Sequence, residues 1–388
     1  MKNILVINSG SATLKFKIFQ LADKTEPVEI VSGIFERIGI DNSFMEMKEL
    51  LKNNFVKKNF PEGLKSHAEA FEVLIKELAS YLSDLVYVGH RVVHGGEAFT
   101  EPTELNTTSL QRLKKYNRLA PLHNPVNLAC AEKAMELLPN TKNFAVFDTA
   151  YYKTIPDYAY LYALPLEYHD NYGIRRYGFH GISHKYATRK ACEILGKDLS
   201  NLKIVSCHLG SGASLSATLN GQAVATTMGF TPLQGLMMST RCGDLDPAVP
   251  LFMIEELKMT PQEVDRVMNK KSGLLGIAGT MDMREILSAA GEQVTGYEPK
   301  KEFTEEEKHR AKLALKMFVY NVARYIGEYT VAMKGLDLVI FTGGIGERSE
   351  AVRQKVLAEI SFMGKIESIV IPANEELMIA EEVAEKVK

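Results

Sequence analysis

Two arginines and a histidine stand near glycines on separate stretches of the chain, and an aspartate stands at the end of an apolar run. They are Arg91 in Gly89-His-Arg-Val-Val-His-Gly-Gly-Glu97, Asp148 after the apolar run 144–147, His180 in Tyr177-Gly-Phe-His, and Arg241 in Met238-Ser-Thr-Arg-Cys-Gly. No serine, cysteine or lysine stands out as a nucleophile with an adjacent base. Phosphoryl transfer suits this inventory, because the protein then has to position the reactants and neutralise charge on phosphate oxygens rather than form a covalent bond. Taken singly, the Arg91 stretch reads more readily as a surface arginine with structural histidines, and Asp148 equally well as a helix cap. Neither the G-x-x-x-x-G-K-[ST] loop nor the protein-kinase motif set is present.

The stretch 204–243 organises the rest. An apolar run (204–207) leads through Gly210, Ser211 and Gly212 into the alternating run 213–219, and Asn220-Gly221 is a two-residue hairpin turn. A tip of this kind can turn backbone N–H groups toward an anion, although an ordinary hairpin is the plain alternative. The same grammar appears at residues 2–19, with Ser9-Gly10-Ser11 as the turn. The duplication suggests two similar domains gripping one phosphate chain, one tip each. A third glycine turn, Thr342-Gly343-Gly344-Ile345-Gly346-Glu347, follows the buried run 338–341 and precedes an expected helix over 349–360, a place that favours a nucleotide phosphate.

The remaining elements must carry these groups. A strand with a glycine break is expected over 30–40, a polar irregular stretch over 41–61, an amphipathic helix over 67–85 and a strand over 85–88. Asn124 and Pro125 read as N-cap and first position of a helix over 126–138, and Ser183 as the cap of a helix over 184–195. A tyrosine- and proline-rich crossing covers 151–172, Thr260 and Glu263 form a capping box for 261–269, and 276–284 is a glycine loop. A surface excursion spans 293–307 before a long helix over 308–333, and the last helix, after Asn374-Glu375-Glu376, is expected to return to the first domain.

At 388 residues two domains are the default. A net charge of −2 argues against a general binder of nucleic acid or anionic membrane, so an anionic ligand needs a local basic cluster. No apolar stretch reaches membrane-span length, and Cys130, Cys192, Cys207 and Cys242 form no C-x-x-C pair, so reduced thiols and a cytoplasmic location are expected.

The ordered set NSGSATLKF, GHRVVHGGE, APLHNPVNL, VFDTA, RRYGFHGISH, HLGSGAS, MSTRCGDLDP and FTGGIGE resembles the acetate kinase family over essentially the whole chain. The resemblance implies an α/β fold of two duplicated ribonuclease-H-like domains of the actin/sugar-kinase superfamily with an interdomain active-site cleft. Residues 1–150 plus 375–388 would form one domain and 151–374 the nucleotide-binding one. It further implies a homodimer and direct in-line transfer from ATP to acetate, giving ADP and acetyl phosphate, with Mg2+, or Mn2+ in its place.

By the same resemblance, Asn8 and Glu375 would be associated with magnesium, and Lys15 with the nucleotide phosphates. Arg91 would hold the substrate carboxylate, with Val93, Leu122, Phe179 and Pro232 around its methyl group. Asp148 would be the active-site acid, and His180 and Arg241 the transition-state stabilisers. Nucleotide segments would be His208, Leu209, Gly210, Ser211 and Gly212, then Asp282, Met283 and Arg284, then Gly343, Gly344, Ile345, Gly346 and Glu347. The chain departs from the family pattern at Ser211, Tyr151, Tyr152, Thr13, Cys242 and Ile182. Acetate, with a pKa of about 4 like a side-chain carboxyl, is already an anion at neutral pH and needs no general base. Asp148 is therefore expected to orient Arg91 or a metal-bound water. Alternatives are a propionate or short-chain fatty acid kinase, and a superfamily ATPase without an acid substrate.

Overall fold

The computed structural model describes residues 2–21, 26–121 and 123–388. The chain divides into two compact units, Met1–Lys153 with Asn374–Lys388, and Thr154–Ala373.

In the first unit, β1 (Lys2–Ser9), β2 (Thr13–Leu21), β3 (Val28–Glu36), β4 (Ser43–Glu49), β5 (Asn54–Phe60), β6 (Leu85–Val92), β7 (Thr103–Glu104) and β8 (Lys142–Phe147) make one sheet, ordered β5-β4-β3-β2-β1-β6-β8-β7. Helices α1 (His67–Glu77), α2 (Thr107–Lys114) and α3 (Asn124–Leu137) belong to this unit, as does the terminal helix Glu375–Lys386, which lies against β1, β2, β6 and β8. Phe16, Phe35, Phe71 and Leu74 are fully buried in its main core, each stabilising the fold by about 1.5 to 3 kcal/mol.

Residues 41–61, expected to be irregular, are instead β4 and β5. Ser43, Met45, Met47 and Glu49 point inward while Phe44, Glu46 and Lys48 alternate with them, and β5 is an edge strand with Lys57 and Lys58 exposed. The charges that guard such an edge also mask its period of two. The helix expected over 67–85 ends at Glu77 and tightens into a 3-10 turn, Ala79–Asp84, whose Tyr81 hydroxyl donates to Glu49 Oε1 at 2.7 Å. Asn124 does not cap α3. His123 holds that position, and the Asn124 side chain accepts from His94 N at 3.0 Å and donates to His94 O at 2.9 Å.

In the second unit, the crossing segment contains α4 (Asp157–Tyr160) and α5 (Glu167–Tyr172), then α6 (Gly181–Leu195). Strands β9 (Lys203–Leu209), β10 (Ala213–Leu219), β11 (Gln222–Thr226), β12 (Leu338–Thr342) and β13 (Glu367–Val370) form a sheet ordered β11-β10-β9-β12-β13. Between β11 and β12 lie α7 (Ala248–Glu255), α8 (Pro261–Lys270), α9 (Gly273–Ala278), α10 (Met283–Ala290) and α11 (Glu305–Met333); α12 (Gly343–Arg348) and α13 (Glu350–Glu359) follow β12. α11 starts three residues before the expected position because Thr304 and Glu307 form a capping box, and α9 occupies part of the expected glycine loop. Ser183 sits inside α6 rather than capping it.

The two sheets repeat one plan. The first strand of each is antiparallel to the second and parallel to the next strand outward, β1 with β2 and β6, β9 with β10 and β12. β3 and β11 extend the antiparallel side of their sheets, and β8 and β13 the parallel side.

Candidate active site

In the first unit Arg91 lies on β6 itself, one strand from Asn8 on β1. Its Nε donates to Asp148 Oδ1 at 3.0 Å, Nη2 to Oδ2 at 2.5 Å, and Nη1 to Asn8 Oδ1 at 3.1 Å. Asp148 follows the end of β8 and is 1% exposed, so this bidentate pair is nearly dry on the carboxylate side. Burial of the guanidinium works against its charge, but the Asp148 carboxylate outweighs that and holds the Arg91 pKa above its ordinary value. Asn8 also donates from Nδ2 to Glu376 Oε1 at 2.8 Å. Glu375, next in the chain, has its carboxyl pKa raised by burial and by the neighbouring Glu376, against the pull of Arg91 and Lys15. Lys15 stands across the strand pair from Asn8.

Glu376 is the residue the sequence reading missed. Both acids look like first-turn residues favoured by the helix dipole, and only the hydrogen bond of Glu376 to Asn8 separates them. Val93 is buried and its N–H donates to Asn127 Oδ1 at 3.2 Å, while Leu122 lies outside the described residues.

In the second unit His180, Gly212 and Arg241 converge. A Cβ on Gly212 would lie 3.2 Å from His180 Cε1 and Nε2 and 3.7 Å from Arg241 Nη1. His180 is the N-cap of α6 in the left-handed region, φ 57°, which a non-glycine residue adopts only when its surroundings enforce it. Its ring lies 4.5 Å from that of His208, whose Nδ1 is 2.8 Å from the Ser183 hydroxyl. Arg241 Nη1 donates to Pro232 O at 2.9 Å, and among the described residues it forms no ion pair with a carboxylate. Burial lowers its pKa with nothing to offset the loss of water. The Arg241 loop is tied to the hairpin tip by Ser239 N donating to Ser211 O at 3.1 Å.

A match to the sequence model of the Acetokinase family spans residues 3–374. The chain belongs to the acetokinase family. The acetate kinase of Clostridium botulinum (strain Hall) is 44% identical over 98% of each chain. Among solved structures, the acetate kinase of Porphyromonas gingivalis matches at a TM-score of 0.87 and 35% identity over 100% of both chains. A propionate kinase from Francisella tularensis matches at 0.88 and 34%, covering 98% of this chain and 99% of that one. The two repeated sheets are accordingly those of the duplicated actin/sugar-kinase-like fold.

Two of the three expected nucleotide segments of this acetokinase meet. Thr342 pairs with His208, and a Cβ on Gly343 would lie 2.8 Å from Leu209 O, so the two turns leave neighbouring strands together. The second turn is not open as expected, since residues 343–348 already form α12. Gly343 takes φ +76° and bends the chain against β9 there. Glu347 Oε1 accepts from Ala373 N at 2.8 Å. The described contacts of Asp282 and Arg284 stay local: Asp282 caps α10 and pairs with Arg284 at 2.7 Å, and Arg284 lies over Tyr297. Phe179 is buried next to His180 in the chain.

Proposed function

We propose that this acetokinase moves a phosphoryl group reversibly between ATP and the carboxylate of acetate by direct in-line displacement. The observation that carries the reading is the meeting of His180, Arg241 and Gly212, where an uncompensated guanidinium and an imidazole flank a glycine of a hairpin tip. Such a group is suited to charge on a transferring phosphoryl group. Arg91 would receive the acid substrate's carboxylate through the donor edges left by its pair with Asp148. Asp148 has both oxygens engaged by Arg91, which supports an orienting role rather than removal of a proton.

Among the described residues no three His, Cys, Asp or Glu side chains form a metal cage. Mg2+ in phosphoryl-transfer sites uses one or two carboxylates together with phosphate oxygens, a weaker requirement that needs no such cage. Glu375 and Asn8 would be associated with it: a cation relieves a carboxyl group disfavoured by burial and by the like charge of Glu376, which itself accepts from Asn8. Bound Mg2+, or Mn2+ in its place, would neutralise phosphate charge.

A homodimer is part of the reading. α7 buries none of its residues in the single chain, although Val249, Leu251 and Phe252 lie on it, and Leu257 and Tyr158 are exposed as well. Such a face favours a second copy. No helix among the described residues is long and apolar enough to cross a membrane. A cytoplasmic location is proposed from the free cysteines Cys130, Cys192, Cys207 and Cys242.

The likeness to a propionate kinase favours propionate as a second, poorer substrate. A coupled assay of ADP release with acetate, propionate, butyrate or no acid tests the reading. Release that depends on acetate and yields acetyl phosphate is expected; release without any acid would replace the kinase with an ATPase.

A further inference from the structure

His184 is wholly buried on α6, one turn beyond His180, and plays no part in the chemistry described above. Its Nδ1 lies 2.7 Å from Ser206 Oγ and its Nε2 lies 2.8 Å from Ser214 Oγ, and Ser214 Oγ in turn lies 2.9 Å from His180 Nδ1. Ser206 and Ser214 are fully buried on β9 and β10. We propose that His184 is a positioning residue for phosphoryl transfer, holding the His180 ring and fixing which of its nitrogens carries a proton through Ser214. The inference rests on His180 acting at the transferred group.

The proton inventory of the relay decides its direction. Ser214 has one hydroxyl proton and two ring nitrogens beside it, so it donates to one and accepts from the other. Burial, reinforced by the neighbouring His208, keeps His184 neutral with a single ring proton. We assign Ser206 Oγ as the acceptor of His184 Nδ1–H, its own proton turned toward Ser216 O 3.5 Å away, and the nitrogen shifts below test that direction. His184 Nε2 must then accept from Ser214, and Ser214 accepts from His180 Nδ1–H. This pins the Nδ1 side of His180 to the sheet and keeps the Cε1–Nε2 side toward Gly212. A ring at positive φ on a helix cap needs such an anchor, since its backbone conformation is unfavourable by roughly 1 to 2 kcal/mol. Two serines and a neutral imidazole supply it without placing a charge in the core.

The test is a double-mutant cycle on the full chain, measuring kcat and KM for ATP and acetate in the wild type, Ser214→Ala, His180→Ala and the double variant. Ser214→Ala is expected to lower kcat about 10-fold or more with KM values nearly unchanged, and to add nothing once His180 is gone, because residues acting as a unit are non-additive. His184→Gln, which keeps a donor and an acceptor on the side chain, should retain more turnover than His184→Ala. Equal losses from Ser214→Ala in both backgrounds would overturn the relay while leaving the role of His180 intact. Full turnover in His180→Ala would remove that role, and the relay with it. If the variants do not fold, the imidazole nitrogen shifts of 15N-histidine-labelled wild-type protein decide: a proton on Nδ1 of His184 and of His180 is expected, and one on Nε2 of His184 overturns the assignment.

Discussion

Asp148 and Arg91 form a two-pronged ion pair, 3.0 Å and 2.5 Å, in which the carboxylate is buried and the guanidinium keeps its Nη1 edge for Asn8. Asp148→Asn should lower kcat by about 10²-fold, since an arginine no longer held in place misorients the acid it binds. Fold stability should fall by roughly 3 kcal/mol, because a buried pair is broken on one side only. The acidic limb of the pH–rate profile should stay where it is. Disappearance of that limb in the variant would make Asp148 a proton acceptor and end the orienting account.

Arg241 is the opposite case, a guanidinium with carbonyl and thioether partners but no carboxylate among the described residues. Arg241→Lys keeps the charge and loses the planar fork, so kcat should drop by about 10³ to 10⁵, the range of arginine groups that meet transition-state charge. The thermal midpoint should hardly change, as no ion pair is broken. Near-full turnover would take Arg241 out of the mechanism.

Gly212 lies between His180 and Arg241 in the second unit. Its φ is not positive, so alanine meets no backbone strain there, but the added Cβ would press on the His180 ring at 3.2 Å. Gly212→Ala should therefore leave the melting temperature close to wild type while lowering kcat by about 10²-fold, the scale of a small misplacement at the reacting centre. Unchanged kinetics would show that the glycine tip and His180 do not act on the same group.

The hairpin tips, the buried strand 338–342 and the long face of α11 were legible because a single period runs through each and a turn residue closes it. β4 was hidden because its inward positions are carried by methionines alternating with Glu46 and Lys48, and β5 because its adjacent Lys57 and Lys58 leave no buried alternation. In the candidate site, Arg91, His180 and Arg241 announced themselves through nearby glycines, and Asp148 through its place after the buried run 144–147. Glu376 and His184 did not. Each is bonded to a partner more than twenty residues away in the chain, Asn8 and Ser214, and no local pattern encodes that pairing.

His90 offers a pH dependence with a definite sign. It is 1% exposed on β6, bonded at Nε2 to Asn143 Oδ1, and burial pushes its pKa down to about 4. Between pH 6.5 and about 4 the unfolded chain binds a proton there and the folded chain does not, so stability falls as pH falls. At ~1.4 kcal/mol per pH unit the loss from this one ring is roughly 3 kcal/mol across the window. Denaturant melts from pH 7 to 5 should show this slope, and His90→Gln should flatten it. An unchanged slope in the variant would assign the effect to other buried rings such as His94.

Val93 is the residue on which substrate size should turn. It follows β6 directly, two residues from Arg91, is 6% exposed, and has its backbone fixed by Asn127. If it lines the space for the acid's alkyl group, as the family resemblance implies, its methyls set how many carbons fit beyond a carboxylate held by Arg91. A methylene in an apolar pocket is worth about 1 to 3 kcal/mol of discrimination. Val93→Ala should therefore raise kcat/KM for propionate relative to acetate by roughly 10-fold, chiefly by lowering KM for propionate, and butyrate should gain less. Activity with acetate should fall modestly, since the smaller acid loses contacts. A propionate-to-acetate ratio equal to that of the wild type would place the alkyl group away from Val93 and leave chain-length selection to other side chains.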